Sequence, residues 1–304
     1  MPTPISLSTG PGVVRAYGCR YITPPLKRLL AYTLLHNQQH NHSHRPRLPL
    51  FSTLSSFHLP PNLNRLLTGD CPFSGMERYW TGSTNNKNKA MVENLRRDGV
   101  ITSKKVAEVM STIDRALFVP DECPPYVDSP MPIGYNATIS APHMHATCLQ
   151  LLQDNLQSGM HALDVGSGTG YLTACFALMV GSQGRVVGVE HIPELVVESI
   201  KNIEKSAAAP LLKEGALSIH VGDGRQGWPE CAPYDAIHVG AAAPEIPKPL
   251  IDQLKPGGRM LIPVGNIFQD LKVVDKNQDG SINVRTETSV RYVPLTSREA
   301  QWQG

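Results

Sequence analysis

Three glycines and a distant glutamate give the clearest chemical signal in this sequence. Gly166, Gly168 and Gly170 lie in the segment LDVGSGTG, between an apolar run and a helix-like one. Glycine lets the backbone turn tightly and lets a ligand lie against bare main chain. Glu190 ends the next apolar run, about 20 residues further on, where a carboxylate can accept the hydrogens of both ribose hydroxyls. The pattern predicts a pocket for a nucleoside.

The glycine spacing distinguishes two classes of ligand. Dinucleotide sites favour G-x-G-x-x-G, because a pyrophosphate must sit on the helix N-terminus. Here the spacing is G-x-G-x-G, and the next residue is Tyr171. S-adenosylmethionine carries no phosphate, so this looser loop suits it better, and a nicotinamide-dependent dehydrogenase is less favoured. On the glycines alone, a purely structural strand–helix turn stays open.

Further polar residues follow the later apolar runs. Asp223, in Gly222-Asp223-Gly224, could accept a hydrogen bond from an adenine amino group. Ligands of open α/β sheets bind at the carboxyl ends of strands, where this segment is expected. Asp235 belongs either to the fourth strand or to a surface turn, and we assign it no catalytic part.

Apolar periodicity beyond His145 alternates between strand and helix. Strands are predicted at 162–165, 185–189, 217–221, 236–239 and 260–264, and helices at 146–156, 171–180, 194–205 and 247–254. Such alternation implies βαβ units and a parallel sheet covered on both faces. Strands at 271–275 and 282–287 flank the hairpin-type turn Asp279-Gly280, and 290–294 is predicted to add one more. The predicted fold class is α/β, a doubly wound and mostly parallel sheet finished by antiparallel strands.

Two helices and a long loop are predicted before this sheet. Apolar residues recur on one helical face up to Asp98-Gly99, and again from about Ser103 to Ile113. The segment 119–142 is rich in proline and glycine. Loops of this length are uncommon in compact domains and are usually functional.

Residues 1–80 differ in composition from the rest of the chain. No acidic residue occurs up to Gly69, whereas six arginines and one lysine do, and serine, threonine and proline are frequent. This composition is typical of an organellar transit peptide, so we expect a disordered targeting extension for a plastid or mitochondrion at 1–80 and one domain at 81–304. A tail without an address and upstream sequence wrongly included in the gene are the alternatives. Met76 is a candidate second start for a cytosolic or nuclear form, and the tract His36, His40, His42 and His44 is interpreted as low complexity rather than a metal site.

Overall composition indicates a soluble globular protein. Hydrophobic residues make up 41% of the chain, charged residues 18%, and the net charge of +2 does not favour nucleic acid as a partner. No apolar run approaches the roughly 20 residues that span a bilayer. The six cysteines show no C-x-x-C spacing, so we expect neither a metal site nor a disulfide framework.

With these elements placed, the sequence resembles the protein-L-isoaspartate O-methyltransferases over about 89–301. The most specific matches are Tyr126–Pro130, Ile133-Gly134 and Ala137–His145, which general methyltransferases do not share. Further matches are Ala162–Gly168, Val221–Arg225, His238–Ala243, and Val293–Thr296 with Gln301.

The resemblance implies a seven-stranded, Rossmann-like S-adenosylmethionine-dependent methyltransferase sheet with added N-terminal helices. It also implies methyl transfer from S-adenosylmethionine to the free α-carboxylate of L-isoaspartyl residues in damaged proteins and peptides, which initiates repair through a succinimide. The implied active-site residue is Ser140. The implied cofactor contacts are Ala137, Thr138, Ile139, Ser140, His145, Asp164, Gly166, Gly168, Glu190, His191, Asp223, Gly224, Thr296 and Gln301. One departure is visible: after Gly265 many relatives carry a longer Gly-containing loop, and its absence here bears on the substrate rim.

Ser140 is interpreted as a hydrogen-bond donor that orients the substrate carboxylate. A carboxylate with a reference pKa of about 4 is already ionised at neutral pH and needs no general base. No G-x-S-x-G elbow surrounds Ser140, so we do not interpret it as a covalent nucleophile. The alternative is that Thr138 and Ser140 cap the following helix.

The histidines near the motifs are assigned modest roles. His143 and His145 lack the spacing of H-E-x-x-H and have no companion ligands, so packing or a hydrogen bond in the pocket is favoured. His191 and His238 are interpreted as strand-end residues rather than proton shuttles. The competing function for the whole chain is a non-catalytic, S-adenosylmethionine-binding adaptor. A monomer is the default expectation.

Overall fold

The computed structural model describes residues 84–303, all within the compact unit Asp70–Gly304. The expectations for residues 1–80, Met76 and the histidine tract lie outside the described residues. The division at residues 80 and 81 therefore stays a prediction.

The described residues form nine strands. They are Met131–Pro132 (β1), Thr138–Ile139 (β2), His161–Val165 (β3), Arg185–Glu190 (β4), Leu217–Val221 (β5), Tyr234–Val239 (β6), Leu254–Val264 (β7), Gln269–Lys276 (β8) and Ile282–Val290 (β9). The same residues form eight α-helices. These are Thr84–Arg97 (α1), Lys104–Thr112 (α2), Pro142–Leu152 (α3), Tyr171–Val180 (α4), Pro193–Glu204 (α5), Ala209–Glu214 (α6), Lys248–Gln253 (α7) and Arg298–Gln303 (α8).

Seven strands form one sheet in the order β5-β4-β3-β6-β7-β8-β9. The first five of these are parallel, while β8 and β9 are antiparallel additions at one edge. The strand order runs outward in both directions from the β3–β6 pair. A crevice opens at such a switch point beyond the carboxyl ends of the strands, and the glycine segment after β3 lies there. This arrangement confirms the predicted fold class.

Alternating strand residues supply two apolar layers. Ala162 and Ala236 belong to one buried cluster, and their neighbours Leu163 and Ile237 belong to the other. Since side chains point to opposite faces at successive strand positions, both faces of the sheet are covered. The central strands accordingly read as continuous apolar runs.

The N-terminal helices add to one of these layers. α1 buries Met91, Val92 and Leu95, and α2 buries Val106 and Met110, among others. Ser103 caps α2 by accepting a hydrogen bond from the Val106 N–H, which satisfies one of the unpaired donors of its first turn. The predicted helices are therefore present; α1 packs against α2, and α2 packs against α3 and α4.

The predicted strand at 290–294 is wrong. β9 ends at Val290, and the following residues turn to the end of β6, where the Ala242 N–H donates to the Val293 carbonyl at 2.8 Å. Pro294 has no N–H with which to continue a ladder and makes only an isolated bridge to Ala242.

Other boundaries differ for local reasons. α3 begins at Pro142, four residues before the predicted start, because proline suits the first turn of a helix. The long loop contains the small hairpin β1–β2, and the short helix α6 was not predicted. No described helix is both long enough and apolar enough to cross a membrane.

Candidate active site

The glycine segment leaves bare main chain at the carboxyl end of β3. Gly166, Gly168 and Gly170 all have positive φ, at 72°, 53° and 87°, a region that glycine enters without steric cost. A Cβ on Gly240, beyond β6, would lie 2.9 Å from the Gly166 carbonyl oxygen. The two strand ends therefore approach each other more closely than side chains would allow.

Glu190 fixes the shape of this segment. It is the last residue of β4 and is 6% exposed. Its Oε2 accepts from the Gly168 N–H at 3.1 Å, and its Oε1 accepts from the Ile192 N–H at 3.1 Å. Because each carboxylate oxygen can accept more than one hydrogen bond, capacity remains for hydroxyls of a ligand.

An open cavity of about 530 Å³ lies over the glycines. Its lining includes these predicted site residues: Ala137, Thr138, Gly166, Gly168, Glu190, His191, Gly224, Thr296 and Gln301. A second cavity of about 370 Å³ is lined by Ile139, Ser140, His145 and Asp164, and it shares Thr138, Gly166 and Gly168 with the first. The predicted site residues other than Asp223 thus line two adjoining spaces.

Asp223 lies apart from these linings. Arg225 donates from Nε at 2.9 Å to Asp223 Oδ1 and from Nη2 at 2.7 Å to Oδ2. These hydrogen bonds lower the pKa of Asp223. An adenine amino group would therefore have to share this carboxylate with Arg225.

The C-terminal helix α8 reaches the wall of the first cavity through Gln301. Its Oε1 lies 2.6 Å from His191 Nε2, and its Nε2 donates to the Tyr135 carbonyl at 2.7 Å. Tyr135 and Asn136 both have positive φ, which is uncommon for residues other than glycine. Gln301 thus ties the β1–β2 hairpin to the end of β4.

Ser140 lies between β2 and α3 and does not cap the helix. The N-cap residue is Ala141, which makes no side-chain cap hydrogen bond, and Thr138 belongs to β2. The Ser140 side chain instead acts on Tyr292: burial raises the pKa of Tyr292, and the Ser140 side chain opposes this shift. The capping alternative is therefore excluded for both residues.

Asp164 and His238 form a buried ion pair in the lining of the second cavity. His238 Nδ1 lies 2.8 Å from Asp164 Oδ1, and Thr173 donates to Asp164 Oδ2 at 2.5 Å. Burial alone would lower the pKa of His238, but the hydrogen bonds with Asp164 and Cys148 outweigh it and raise the pKa to about 10. The Asp164 carboxylate thus favours the charged form of the His238 imidazole.

Asp235 is a buried strand residue and not a surface turn. It accepts from the His161 N–H at 3.0 Å and from Lys255 Nζ at 2.7 Å. These contacts join the amino ends of β3 and β6, at the opposite end of the strands from the cavities. Asp235 is therefore structural.

Several lining residues were not predicted as part of the site. Gly240, Ala241 and the segment Val293–Leu295 line the first cavity. All of these residues belong to the sequence motifs that carry the family resemblance, but the motifs did not indicate that they line a cavity. Tyr171 and His238 line the second cavity. Between residues 84 and 303, no group of three or more His, Cys, Asp or Glu side chains could hold a metal ion.

Comparison with known proteins agrees with this geometry. The family model described as protein-L-isoaspartate(D-aspartate) O-methyltransferase matches residues 86–300. Protein-L-isoaspartate O-methyltransferase 1 of Arabidopsis thaliana is 72% identical over 229 residues, which are 75% of this chain and all of the relative. The enzyme of that name from Triticum aestivum is 71% identical over 228 residues, 75% of this chain and 99% of the relative.

A solved structure shares the fold. A protein-L-isoaspartate O-methyltransferase from Plasmodium falciparum, crystallised with S-adenosyl-L-homocysteine, is similar with a TM-score of 0.64 and 36% identity. The similarity covers 69% of this chain and 98% of the other.

Proposed function

We propose that the two adjoining cavities catalyse methyl transfer by holding the donor and the acceptor in line. The chain belongs to the protein-L-isoaspartate(D-aspartate) O-methyltransferase family and transfers a methyl group from S-adenosylmethionine to L-isoaspartyl residues. One observation carries the proposal: the cavity over the glycine segment and the cavity beside Ser140 share Thr138, Gly166 and Gly240. A donor in the first cavity and an acceptor in the second would meet at this shared boundary.

The residues present fit the donor. The positive-φ glycines offer main chain without side chains, and Glu190 has spare acceptor capacity for ribose hydroxyls. S-adenosylmethionine supplies the methyl group on a sulfonium, which is a good leaving group.

The acceptor carboxylate must be correctly positioned, but it does not need to be activated by a general base. A free α-carboxylate is ionised at neutral pH, so the chain need not remove a proton from it. We infer that Ser140, which lines the second cavity, donates a hydrogen bond to this carboxylate and fixes the direction of its attacking oxygen. Holding reacting atoms about 3 Å apart and in line can contribute several kcal/mol to catalysis. The main-chain amide nitrogen next to the methyl ester can then attack the ester carbonyl and release methanol, and water reopens the resulting succinimide in part to normal aspartate.

Methyl incorporation from labelled S-adenosylmethionine tests this function. A peptide containing one L-isoaspartyl residue and its aspartyl twin are incubated separately with the full chain. We expect label in the first peptide only, in a form that base hydrolyses as a methyl ester. Label in both peptides, or in neither, would contradict the proposal, and binding without labelling would favour the adaptor.

We also propose a targeting role for residues 1–80. Their basic, acid-poor composition supports a plastid or mitochondrial address. A start at Met76 would instead leave the enzyme in the cytosol or nucleus. A fluorescent reporter fused to residues 1–80 should enter an organelle, and a diffuse signal would contradict this address.

We further propose that the enzyme acts as a monomer on isoaspartyl proteins and does not bind nucleic acid. The net charge of +2 supports the second point, since nucleic-acid binding relies on positive charge. Sedimentation of the full chain, alone and with duplex DNA or RNA, should show one species of monomer mass. Sedimentation as a dimer would refute the monomer, and a complex that sediments with DNA or RNA would refute the proposal that nucleic acid is not bound.

A further inference from the structure

Arg115 is a fully buried arginine beside Ser140. Arg115 is 0% exposed and is the first residue of the 3₁₀ turn Arg115–Phe118, which follows α2. Nη2 donates to the Ser140 carbonyl at 2.7 Å, and Nη1 lies 3.1 Å from His145 Nδ1. One guanidinium thus contacts both the main chain of Ser140 and the imidazole of His145.

The contact with His145 fixes its tautomer. A guanidinium carries only donors, so His145 Nδ1 must be the acceptor, and the ring proton lies on Nε2. Burial and the charge of Arg115 lower the pKa of His145, so the ring stays neutral. The Tyr171 ring lies 4.9 Å from the His145 ring and 5.5 Å from the Arg115 guanidinium carbon, which limits movement of both groups.

The charge of Arg115 has no carboxylate at ion-pair distance among residues 84–303. Its Nε is also buried without a hydrogen-bond partner. Burial lowers its pKa to about 10, which leaves the group charged at neutral pH. Burial of a cation without an anionic partner is costly, and an apolar side chain of similar volume is often more stable. A purely structural role therefore explains this residue poorly.

The missing negative charge is that of the acceptor. In the proposed function, an L-isoaspartyl carboxylate enters the cavity lined by Ser140 and His145. A preorganised positive charge near that position favours an anion without reorganisation. The Ser140 carbonyl, held by Arg115, also fixes the main chain that carries the Ser140 hydroxyl.

We propose that Arg115 is a positioning residue of this site, which holds His145 as a neutral Nε2–H donor, fixes the main chain of Ser140 and supplies positive charge for the substrate carboxylate. This inference rests on the proposed function of the cavity. The charged or titratable groups that act on His145 are Arg115, His238 and His143, and the Tyr171 ring lies beside it.

The test combines histidine ¹⁵N spectra with peptide kinetics in the full chain. In the wild type, His145 should show the Nε2–H tautomer, without titrating, from pH 5.5 to 8. Arg115→Met should populate both tautomers, raise the pKa of His145 towards its ordinary range, and raise KM for the isoaspartyl peptide at least tenfold. KM for S-adenosylmethionine should change less than threefold. Arg115→Lys keeps the charge and should recover part of the peptide KM without restoring the tautomer.

Arg96→Met serves as control, because Arg96 is exposed and, among the residues that the structure describes, pairs with Glu93 of the same helix α1. A wild-type His145 protonated on Nδ1 would overturn the inference whatever the variants do. Unchanged peptide KM in folded Arg115→Met would also overturn it, as would equal loss of peptide and donor binding in both variants. If the wild type labels no peptide, the proposed function fails, whereas the spectra still decide the contact between Arg115 and His145.

Discussion

At the scale of single residues, the site depends on Glu190, which accepts from the Gly168 N–H beside the first cavity, and on Ser140, which lines the second. Glu190 was predicted from its place at the end of a strand, and the structure adds that it holds the Gly168 N–H. Asp223 was also predicted, but its bidentate contact with Arg225 was not. Arg115 gave no signal, because a lone arginine after a helix does not reveal that it is buried. Side-chain partners depend on packing between distant segments, which motif spacing does not encode.

Glu190→Gln should weaken S-adenosylmethionine binding. An amide keeps one oxygen acceptor but loses the charge and the second acceptor, and hydrogen bonds to charged groups contribute about 1.5–3 kcal/mol each. Equilibrium dialysis with labelled donor should show Kd raised by about ten- to a hundred-fold. Glu93→Gln on α1, a residue paired only with exposed Arg96, should not change Kd. An unaltered Kd in Glu190→Gln would remove this carboxylate from the donor site.

Ser140→Ala should slow methyl transfer and spare the donor. Ser140 lines the second cavity, where we propose that the acceptor binds, so loss of its hydroxyl should affect orientation of the acceptor. Loss of one such bond to a charged group predicts a fall of about ten- to a hundred-fold in kcat/KM for an isoaspartyl peptide. Ser289→Ala, on the exposed face of β9, is the matched control. Equal loss of donor binding would assign Ser140 a structural role instead.

At the scale of elements, apolar periodicity predicted the bounds of helices and strands that depend on local sequence. It missed the bounds that depend on proline or on contacts with distant segments. α4 and β5 have the predicted bounds because their apolar runs end at glycines or polar residues. The segment 290–294 has the apolar character of a strand, yet it crosses to Ala242 and lines the first cavity. Its path is set by pairing with a loop about 50 residues earlier in the chain, which local pattern cannot show.

Gly240→Ala should damage donor binding through the main chain. The added methyl carbon would lie 2.9 Å from the Gly166 carbonyl oxygen, so the ends of β3 and β6 must separate. We expect Kd for S-adenosylmethionine to rise at least tenfold by equilibrium dialysis. Gly280→Ala provides the contrast, because that site has positive φ but nothing within 4 Å of the new carbon. Gly280→Ala should lower the free energy of unfolding by about 1 kcal/mol without changing the affinity for the donor. A similar loss of affinity in both variants would show that the close approach of Gly240 to the Gly166 carbonyl oxygen is not the cause.

At the scale of the whole molecule, alternation of strands and helices was enough to predict the sheet and the edge that binds ligand. The switch point between β3 and β6 follows from chain order, and the glycine segment falls at that point. The antiparallel additions β8 and β9 were predicted from the Asp279-Gly280 turn, at which Gly280 has a φ of 85°. The sequence did not show that Asp164 and His238, on the neighbouring strands β3 and β6, form a buried ion pair.

The Asp164–His238 pair predicts a pH dependence of folding stability. Since the folded pKa of His238 is raised to about 10, above an unfolded value of about 6.5, its contribution is complete below about pH 6.5 and is lost as pH rises towards 10. Denaturant unfolding should show the wild type losing on the order of 1–4 kcal/mol over this range relative to His238→Gln. His161→Gln, on the neighbouring strand β3, should follow the wild type. Parallel curves for the wild type and His238→Gln would contradict the ion pair.

The central claim is that main chain over Gly166–Gly170, closed by Glu190, holds the nucleoside of the methyl donor next to the acceptor cavity. Calorimetric titration of the full chain with S-adenosylhomocysteine tests it most directly, at two temperatures so that a zero enthalpy at one of them cannot hide binding. We predict saturable heat with one site per chain, and a negative heat-capacity change from apolar burial. Absence of heat at both temperatures from folded protein would contradict the account.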